Sequence, residues 1–357
     1  MPLYMDIHNV DSDTFTVEEV AKAHWEDVSI QEKFGVIQRK YWVNVEAKTI
    51  FCLMEGPNKE ACNAVHKESH GGTACNIIEV SDDEFNLFLG VGTKNKDDLA
   101  QTLKGDVDAG FRTLLMIETY DFKGKYNHYK NQIRLLIQNR NGAILLQPNN
   151  DILASFISAS EALGCAVAIS ELLKSIPDDY EYTLALVTGK PVDVDGVKLF
   201  EKAKQRVRYL TKIDLDNTIY IDDSTLVLAN KEPHTTSINS NEFRIVDEVD
   251  FDFLDKLFDI LNRELFKPNF KIERLYTSLG LSKSQAYRKI KSLTGMGPNK
   301  FIQELRLHQS LKDIGQNNKT VAEIAYDLGY NSPTYFTRVF RRRFGILPTI
   351  FAKNATN

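Results

Sequence analysis

The sequence predicts an α+β protein in which two ferredoxin-like βαββαβ domains precede an all-α domain with two helix-turn-helix motifs. Three observations predict this fold class: two successive segments in which strand and helix patterns alternate in the same order, a helical repeat near the C-terminal end, and a charge difference between the two ends. A length of 357 residues suits two or three domains, and a hydrophobic content of 43% is sufficient for ordinary cores.

The first domain is predicted for residues 1–82. Amphipathic helices are predicted from Val17 to Lys33 and from Asn58 to Ser69. Strands are predicted for LYMDIH, GVIQRKYWVN, TIFCLMEG and CNIIEV. The resulting βαββαβ order predicts an antiparallel sheet with both helices on one face.

Histidines are concentrated in this first domain. His66 and His70 are four residues apart on the second predicted helix, so both imidazoles can reach one metal ion, and His8 ends the first predicted strand. These three residues are the candidate metal ligands. The alternative is that His66 and His70 are unliganded histidines on a helix surface.

The first domain resembles a small family of ferredoxin-like domains of unknown function, some members of which bind nickel. The resemblance is carried by YMDIH, HWEDVSIQEKFGV, KYWVNVEAKTIFCLMEGPNKEACNAVHKESHG and IIEV. It implies a divalent transition metal, nickel or zinc, at the candidate histidines, because imidazole prefers such metals to magnesium. A homodimer through a strand edge or a sheet face is usual for such a fold.

Residues 83–107 are predicted to link the first domain to the second, and the stretch VGTKNKDDLAQTLKGDVDAG is predicted to form a linker helix. The second domain is predicted for residues 108–230. Its predicted strands are FRTLLMIETYDF, a hairpin in NGAILLQPNNDILASF, YTLALVTGKPV and NTIYIDDSTL. Its predicted helices are Tyr126 to Asn139, SASEALGCAVAISELLKS and KLFEKAKQRVRYL. The order is again βαββαβ.

The second domain resembles the class III nucleotide cyclase domain. The resemblance lies in the first strand, the hairpin ending in LASF, the CAVAI helix, the LALVTGKPV strand and the helix after Lys198. Cyclases of this class need two carboxylates that hold two divalent metals.

This sequence departs from the cyclase pattern at its catalytic positions. Glu118 stands near one carboxylate position, but Asn149-Asn150-Asp151 stands where the family has Gly-Asp-Gly. Tyr209 fills the position of the transition-state arginine, with Arg206 and Arg208 beside it. These departures predict a degenerate, non-catalytic domain for sensing or dimerisation.

A hinge is predicted for residues 231–250, where Ser, Asn and Thr cluster, and an all-α domain for residues 251–357. In that domain LGLSKSQAYRKIKSLTGMGP is followed by a second copy, LGYNSPTYFTRVFRRRFGILP. The Leu-Gly pairs are 49 residues apart and the Gly-x-x-Pro elements are 50 apart. Because glycine permits a tight left-handed turn between two short helices, each copy is predicted to be a helix-turn-helix.

The last domain resembles the C-terminal DNA-binding domain of AraC/XylS-type transcriptional regulators from about residue 253 to residue 352. The matching sequences are IERLYTSLGLSKSQAYRKIKSLTGMGPNKFIQELRL and TVAEIAYDLGYNSPTYFTRVFRRRFGILPTIF. The resemblance implies seven helices, with a long linker helix between the two motifs. It also implies two recognition helices in successive major grooves on one face of the DNA.

Each predicted recognition helix has a polar, basic face opposite an apolar one. The apolar residues Ala286, Ile290, Leu293, Phe336, Val339, Phe340 and Phe344 are predicted to be core. The candidate DNA-binding residues are Lys283, Ser284, Gln285, Tyr287, Arg288, Lys291, Asn331, Thr334, Thr337, Arg338 and Arg341. Arg288 and Arg338 have the reach to read guanine or to clamp phosphate, and both roles stay open. The run from Arg341 to Arg343 is predicted to be solvated or to face phosphate.

Charge separates the last domain from the others. Residues 251–357 contain 18 Lys and Arg against 9 Asp and Glu, which leaves 26 against 40 for residues 1–250. A basic domain attached to an acidic remainder is typical of a nucleic-acid-binding module joined to another function. Its attraction to phosphate is expected to depend on salt.

These features predict a sequence-specific DNA-binding transcriptional regulator rather than an enzyme. It is predicted to bind a double-stranded operator as a homodimer, while the front domains respond to a metal or a small molecule. The alternative is a metal-handling or nucleotide-cyclase-like protein that the basic domain tethers to DNA. Four scattered cysteines, no long apolar run and no secretion signal predict a cytoplasmic protein without a membrane partner.

Overall fold

A computed structural model describes residues 1–12, 15–146, 151–176, 180–213, 218–232, 242–267 and 270–355. In these residues a four-stranded sheet and a six-stranded sheet precede a run of helices. The predicted α+β fold class is confirmed. None of the described helices is long and apolar enough to span a bilayer.

The first sheet has the strand order β2-β3-β1-β4, and β1 is antiparallel to both of its neighbours. Its strands are β1 (Leu3–Asn9), β2 (Ile37–Asn44), β3 (Thr49–Glu55) and β4 (Asn76–Val80), and its helices are α1 (Val17–Ile30) and α2 (Lys59–Ser69). Thr16 starts α1 with a reciprocal capping box, and Asn58 caps α2. A short 3₁₀ helix, Gln31–Phe34, follows α1, and Gly35 ends it at a φ of 64°.

The predicted linker helix in VGTKNKDDLAQTLKGDVDAG is wrong. The helix in this region lies earlier, at α3 (Asp82–Leu89), and the stretch itself forms the short strands β5 (Thr93–Lys94) and β6 (Ala100–Gln101). Gly92 and Asp98 have φ angles of 106° and 62°, and the Asn95 side chain accepts the backbone N–H of Leu99. The stretch forms turns and not a helix, because Asn and Asp side chains make hydrogen bonds with nearby backbone groups and Gly adopts the left-handed backbone conformation.

The second sheet contains the same four-strand arrangement, in the order β10-β7-β9-β8. Its elements are β7 (Arg112–Asp121), α4 (Asn127–Asn139), β8 (Ala143–Leu146), β9 (Asp151–Phe156), α5 (Ala159–Lys174) and β10 (Tyr180–Gly189). The helices α4 and α5 cover one face of the sheet, where they share an apolar cluster with the strands. The opposite face remains available for other parts of the chain.

Beyond this unit, the second sheet continues with parallel strands. The added elements are α6 (Glu201–Ile213), β11 (Ile219–Asp222), α7 (Asp223–Lys231) and β12 (Phe243–Val246). The predicted hinge is therefore wrong over residues 243–246, where Phe243 and Val246 are buried in a strand. The strand was not predicted because its short apolar pattern lies among polar residues. Residues 233–241 of the predicted hinge lie outside the described residues.

The C-terminal helical domain begins at Glu248, slightly before the predicted boundary. Its helices are α8 (Glu248–Glu264), α9 (Ile272–Ser278), α10 (Lys283–Thr294), α11 (Pro298–Gly315), α12 (Val321–Asp327), α13 (Pro333–Phe344) and α14 (Pro348–Ala355). Gly280 and Gly329 make the turns before α10 and α13 with φ angles of 66° and 77°. The apolar residues predicted as core in both recognition helices are buried.

The three parts of the chain share apolar cores. One cluster joins the first sheet, the open face of the second sheet, α6 and α8. Another places Tyr120 and Phe122, from the end of β7, among the core residues of α11 to α14. The Phe122 ring lies 5.2 Å from the ring of Phe344 and 6.2 Å from that of Phe351. The helical domain therefore packs on the second domain.

Candidate DNA interface and candidate metal centre

Local caps position the first recognition helix, α10. The Ser282 hydroxyl accepts the backbone N–H of Gln285 at 3.3 Å, and the Gln285 side chain accepts the backbone N–H of Ser282 at 3.0 Å. Ala286 and Ile290 are fully buried, so the opposite face points outward. The exposed residues on that face are Lys283, Ser284, Gln285, Tyr287, Arg288 and Lys291.

The second recognition helix, α13, is built in the same way. The Ser332 hydroxyl accepts the backbone N–H of Tyr335 at 3.3 Å, and Pro333 occupies the first helical position. Phe336 and Phe340 are buried. Of the candidate residues here, Asn331, Thr334, Arg338 and Arg341 are exposed, and Thr337 is half-buried.

Sequence reasoning missed Tyr335 on this face and misplaced Arg343. Tyr335 is 46% exposed, and the Arg338 guanidinium lies 5.3 Å from its ring. The helical spacing of three residues between Tyr335 and Arg338 was a usable signal. Arg343 is not in a solvated run, because it forms ion pairs with Glu181 and Glu304.

His66 forms the centre of a buried polar cluster in the first domain. It is 1% exposed, so the interpretation of His66 as a surface histidine is wrong. Its Nδ1 lies 2.8 Å from Asp27 Oδ2, and its Nε2 lies 2.9 Å from Asp6 Oδ2. His8 Nε2 approaches the same oxygen of Asp6 at 3.1 Å. The strand β1 and the helix α1 enclose the inward face of α2 here.

His70 reaches the same cluster from the C-terminal end of α2. Its Nε2 lies 3.5 Å from Asp27 Oδ1. Two sets of donor atoms each lie within 4.8 Å of one another: Asp6, His8, Cys52 and His66 in one, and Asp27, His66 and His70 in the other. The structure thus brings the three candidate histidines together and adds two carboxylates and a thiol that sequence reasoning missed.

The carboxylates determine the charge of His66. Burial alone would lower the pKa of His66, but hydrogen bonds to Asp27 and Asp6 raise it to about 10. Burial would raise the pKa of Asp6, yet His8 and His66 hold it below its ordinary value. His66 is therefore an imidazolium whose two N–H groups donate to carboxylates. A metal ion bound at His66 would have to displace one of those protons.

A cavity of about 380 Å³ opens onto this cluster and is lined in part by His8, Cys52, His66 and His70. His24 and Tyr41 also line it, and both are nearly fully buried. The His24 Nε2–H donates to Asp98 Oδ2 at 3.2 Å, whereas its Nδ1 and the Tyr41 hydroxyl have no partner among the described residues.

The state of His24 provides a test of whether these residues fit a metal. Burial lowers the pKa of His24, so the ring is neutral and its Nδ1 presents a lone pair. An imidazole held by a carboxylate at one nitrogen and open at the other is the usual arrangement of a metal ligand. The nitrogen, oxygen and sulfur donors around the cavity fit a divalent transition metal such as nickel or zinc.

The second domain has its own carboxylate pair. Glu118 on β7 is paired in register with Asp151 on β9. Lys312 of α11 inserts between them, with Nζ 3.1 Å from Glu118 Oε1 and 3.0 Å from Asp151 Oδ2. Burial and the Glu118 charge raise the pKa of Asp151 to about 6. Asn149 and Asn150 lie outside the described residues.

The residues near the cyclase arginine position are used in packing. The Tyr209 ring stacks on Phe258 of α8 with centroids 4.3 Å apart. The Arg206 guanidinium donates to Glu248 at the start of α8, where Nη1 and Oε2 are 2.7 Å apart. Both side chains therefore hold the helical domain against α6.

Comparison with known protein families finds a match for each end of the chain. A family described as "Helix-turn-helix domain" matches residues 275–354, and a family described as "Nickel responsive protein SCO4226-like" matches residues 4–80. The C-terminal part of the chain is therefore similar to a helix-turn-helix domain, and the N-terminal part is similar to an SCO4226-like domain.

Among the relatives is "Histidine kinase P4" of Formosa agariphila, which is 31% identical over 29% of this chain and 8% of its own length. "HTH-type transcriptional regulator MtrA" of Neisseria gonorrhoeae is 25% identical over 28% of this chain and 33% of its own length. The chain thus spans at most about a third of these two relatives. The crystal structure of SCO4226 from Streptomyces coelicolor A3(2) is 32% identical over 22% of this chain and 94% of that chain, with a TM-score of 0.21.

Proposed function

We propose that this protein is a sequence-specific DNA-binding transcriptional regulator of the AraC type, in which the first domain receives a metal signal. The observation that supports it best is the pair of capped recognition helices, α10 and α13, joined by the single helix α11. Both helices expose basic and polar side chains. The excess of basic residues after residue 250 adds attraction to phosphate.

Arginine substitutions test the DNA-binding part. Arg288→Ala and Arg338→Ala should each weaken operator binding by about 1–3 kcal/mol if the residue reads a base, with relaxed preference at one position. A phosphate clamp would instead weaken all sequences equally. Arg263→Ala is the matched control, because Arg263 lies on α8 and pairs with Asp259 at the surface. Unchanged binding in both test variants would contradict the assignment of the recognition faces.

The metal part rests on the cavity in the first domain. His8 and Cys52 in one donor set and His70 in the other would supply ligands, and His66, which belongs to both sets, would orient Asp6 and Asp27. The open Nδ1 of His24 lines the same cavity as a further candidate ligand. A bound divalent metal would supply Lewis acidity and a fixed positive charge. Because a ligand stabilises whichever arrangement binds it more tightly, metal binding can shift the population of DNA-binding states.

Variants that spare His66 are the appropriate test, because removing His66 would leave two buried carboxylates without their cation. His8→Ala combined with His70→Ala should weaken nickel binding at least tenfold in a chelator competition. His128→Ala, an exposed histidine of the second domain, should have no effect. Full nickel affinity in the double variant would show that His8 and His70 are not ligands of the metal.

We also propose that the second domain is not catalytic, because the Lys312 ammonium group already occupies the space between its two carboxylates. Incubation of the protein with ATP or GTP and manganese should give no cyclic product above a Glu118→Ala control. We expect a homodimer, which light scattering after gel filtration would detect. A cyclase-like protein tethered to DNA would instead give cyclic product that depends on Glu118, and a metal-handling protein tethered to DNA would bind nickel without any change in DNA binding.

A further inference from the structure

We propose that the carboxylate pair Glu118 and Asp151 is a docking site for the linker helix α11. Because Lys312 of α11 binds this pair, the second domain fixes the position of both recognition helices. The effect on DNA rests on the function proposed above. The docking itself rests on contacts within the chain.

The first support is the geometry around Lys312. Glu118 is 6% exposed and lies beside Asp151 in the sheet, so two carboxylates would repel each other there without a cation between them. Glu118 also accepts the hydroxyls of Tyr120 at 3.0 Å and Thr211 at 3.2 Å. A fixed acceptor site of this kind holds an ammonium group in one place, and α11 supplies that group.

The second support is a parallel contact from the recognition helix itself. The Arg343 guanidinium on α13 donates to both carboxylate oxygens of Glu181 on β10, at 2.5 Å and 3.0 Å. Its Nε donates to Glu304 of α11 at 2.7 Å. Arg343 thus ties the sheet, the linker helix and the second recognition helix together. Bidentate arginine pairs fix orientation as well as distance.

Apolar and backbone contacts complete the interface. Phe122, just after β7, packs between Phe344 and Phe351. The Asn354 side chain donates to the backbone carbonyl of Phe122 at 2.8 Å. The second domain and the basic helical domain therefore meet through ion pairs, ring contacts and a backbone hydrogen bond.

The docked arrangement leaves the DNA-binding faces open. Arg288 on α10 and Arg338 on α13 are both exposed while Lys312 is docked. Docking therefore orients the helical domain and does not block it. A change in the front domains can then reach the DNA through the position of α11, without any residue of those domains touching DNA.

The experiment compares full-length wild type with Lys312→Met and Asp151→Asn, with Lys300→Met as the control. Lys300 is an exposed lysine on the same helix. Hydrogen exchange of β7 and α11 should rise at least tenfold in Lys312→Met and less in Asp151→Asn, while Lys300→Met matches wild type. The radius of gyration from solution scattering should increase only in Lys312→Met. Wild-type exchange and size in Lys312→Met would overturn the proposal.

The second part of the experiment measures DNA binding. It compares an operator that has two half-sites with one of those half-sites alone. Affinity for the two-half-site operator should fall about tenfold in Lys312→Met, and affinity for the single half-site should stay within twofold. Equal affinity of wild type and Lys312→Met for the paired sites would overturn the positioning role. If wild type selects no DNA motif, the proposed function fails, and the exchange and scattering results still decide the docking.

Discussion

Two clusters in this protein place a basic side chain between two carboxylates, and they differ in the chemistry of that basic group. In the first domain, His66 lies between Asp6 and Asp27. At the contact between the second and helical domains, Lys312 lies between Glu118 and Asp151. An imidazole can give up a proton and bind a metal, whereas an ammonium group remains a cation at neutral pH.

The two clusters also differ in their surroundings. The His66 cluster lies within one domain and opens onto a cavity with an unpartnered imidazole nitrogen on His24. The Lys312 cluster lies instead at a contact between domains, where the helix α11 supplies its cation. Under the two proposals above, a carboxylate pair would serve metal binding where the chain supplies an imidazole, and domain docking where it supplies an ammonium group.

Replacing His66 should have the largest effect on this comparison. His66→Ala leaves Asp6 and Asp27 buried without their cation, which should destabilise the first domain by about 3–5 kcal/mol. Urea unfolding followed by tryptophan fluorescence would measure this, because Trp25 and Trp42 both lie in the first domain. A loss below about 1 kcal/mol would indicate that the carboxylates are not held by His66.

Nickel should distinguish the two clusters by their response to metal. At a free concentration of about 100 times its dissociation constant, nickel should stabilise the first domain by about 2.7 kcal/mol. Asp151→Asn should leave this gain unchanged, and His8→Ala with His70→Ala should reduce it to about 1.4 kcal/mol or less, as a tenfold or larger loss of affinity requires. Equal stabilisation in that double variant would mean that the metal binds elsewhere.

Replacing Lys312 should have a smaller effect than replacing His66, because the Lys312 side chain is 29% exposed. Lys312→Met should cost about 2 kcal/mol, the range for hydrogen bonds to charged groups. A double-mutant cycle with Asp151→Asn should show a coupling energy of about 1 kcal/mol or more. Additive effects would show that the two residues do not interact.

Asp222 extends the comparison to a buried carboxylate that accepts hydrogen bonds from the backbone N–H of Thr188 and the hydroxyl of Thr225. Burial raises its pKa to about 7. The unfolded chain therefore releases this proton at lower pH than the folded protein does, and the stability should fall as pH rises from about 4 to about 7. In Asp222→Asn this part of the decline should disappear, which unfolding at several pH values would measure. An unchanged slope would contradict the raised pKa.

The sequence was sufficient for features that depend on local patterns. Ser282, Ser332 and the glycines beside them predicted both recognition helices, because capping and turn formation act within a few residues. The alternation of apolar residues predicted the strands β1 to β4 of the first sheet and β7 to β11 of the second. The linker helix was wrong because Asn95 and Asp98 form turns, and β12 was missed because its apolar pattern is only four residues long.

Long-range contacts were not predictable in this way. The His66 cluster joins residues 39 and 60 positions apart, and the Lys312 cluster joins residues 161 and 194 positions apart. No local periodicity connects such positions. The histidine spacing therefore indicated a site, whereas Asp6, Asp27 and Lys312 became visible only once the packing of the domains was known.

Selection of genomic DNA by the full-length protein, with chelator and then with added nickel, tests the central claim most directly. The account predicts a discrete motif with two half-sites whose enrichment changes with nickel. Binding that depends only on salt and shows no sequence preference would contradict it, because the two recognition helices would then serve as a tether and not as a reader of DNA.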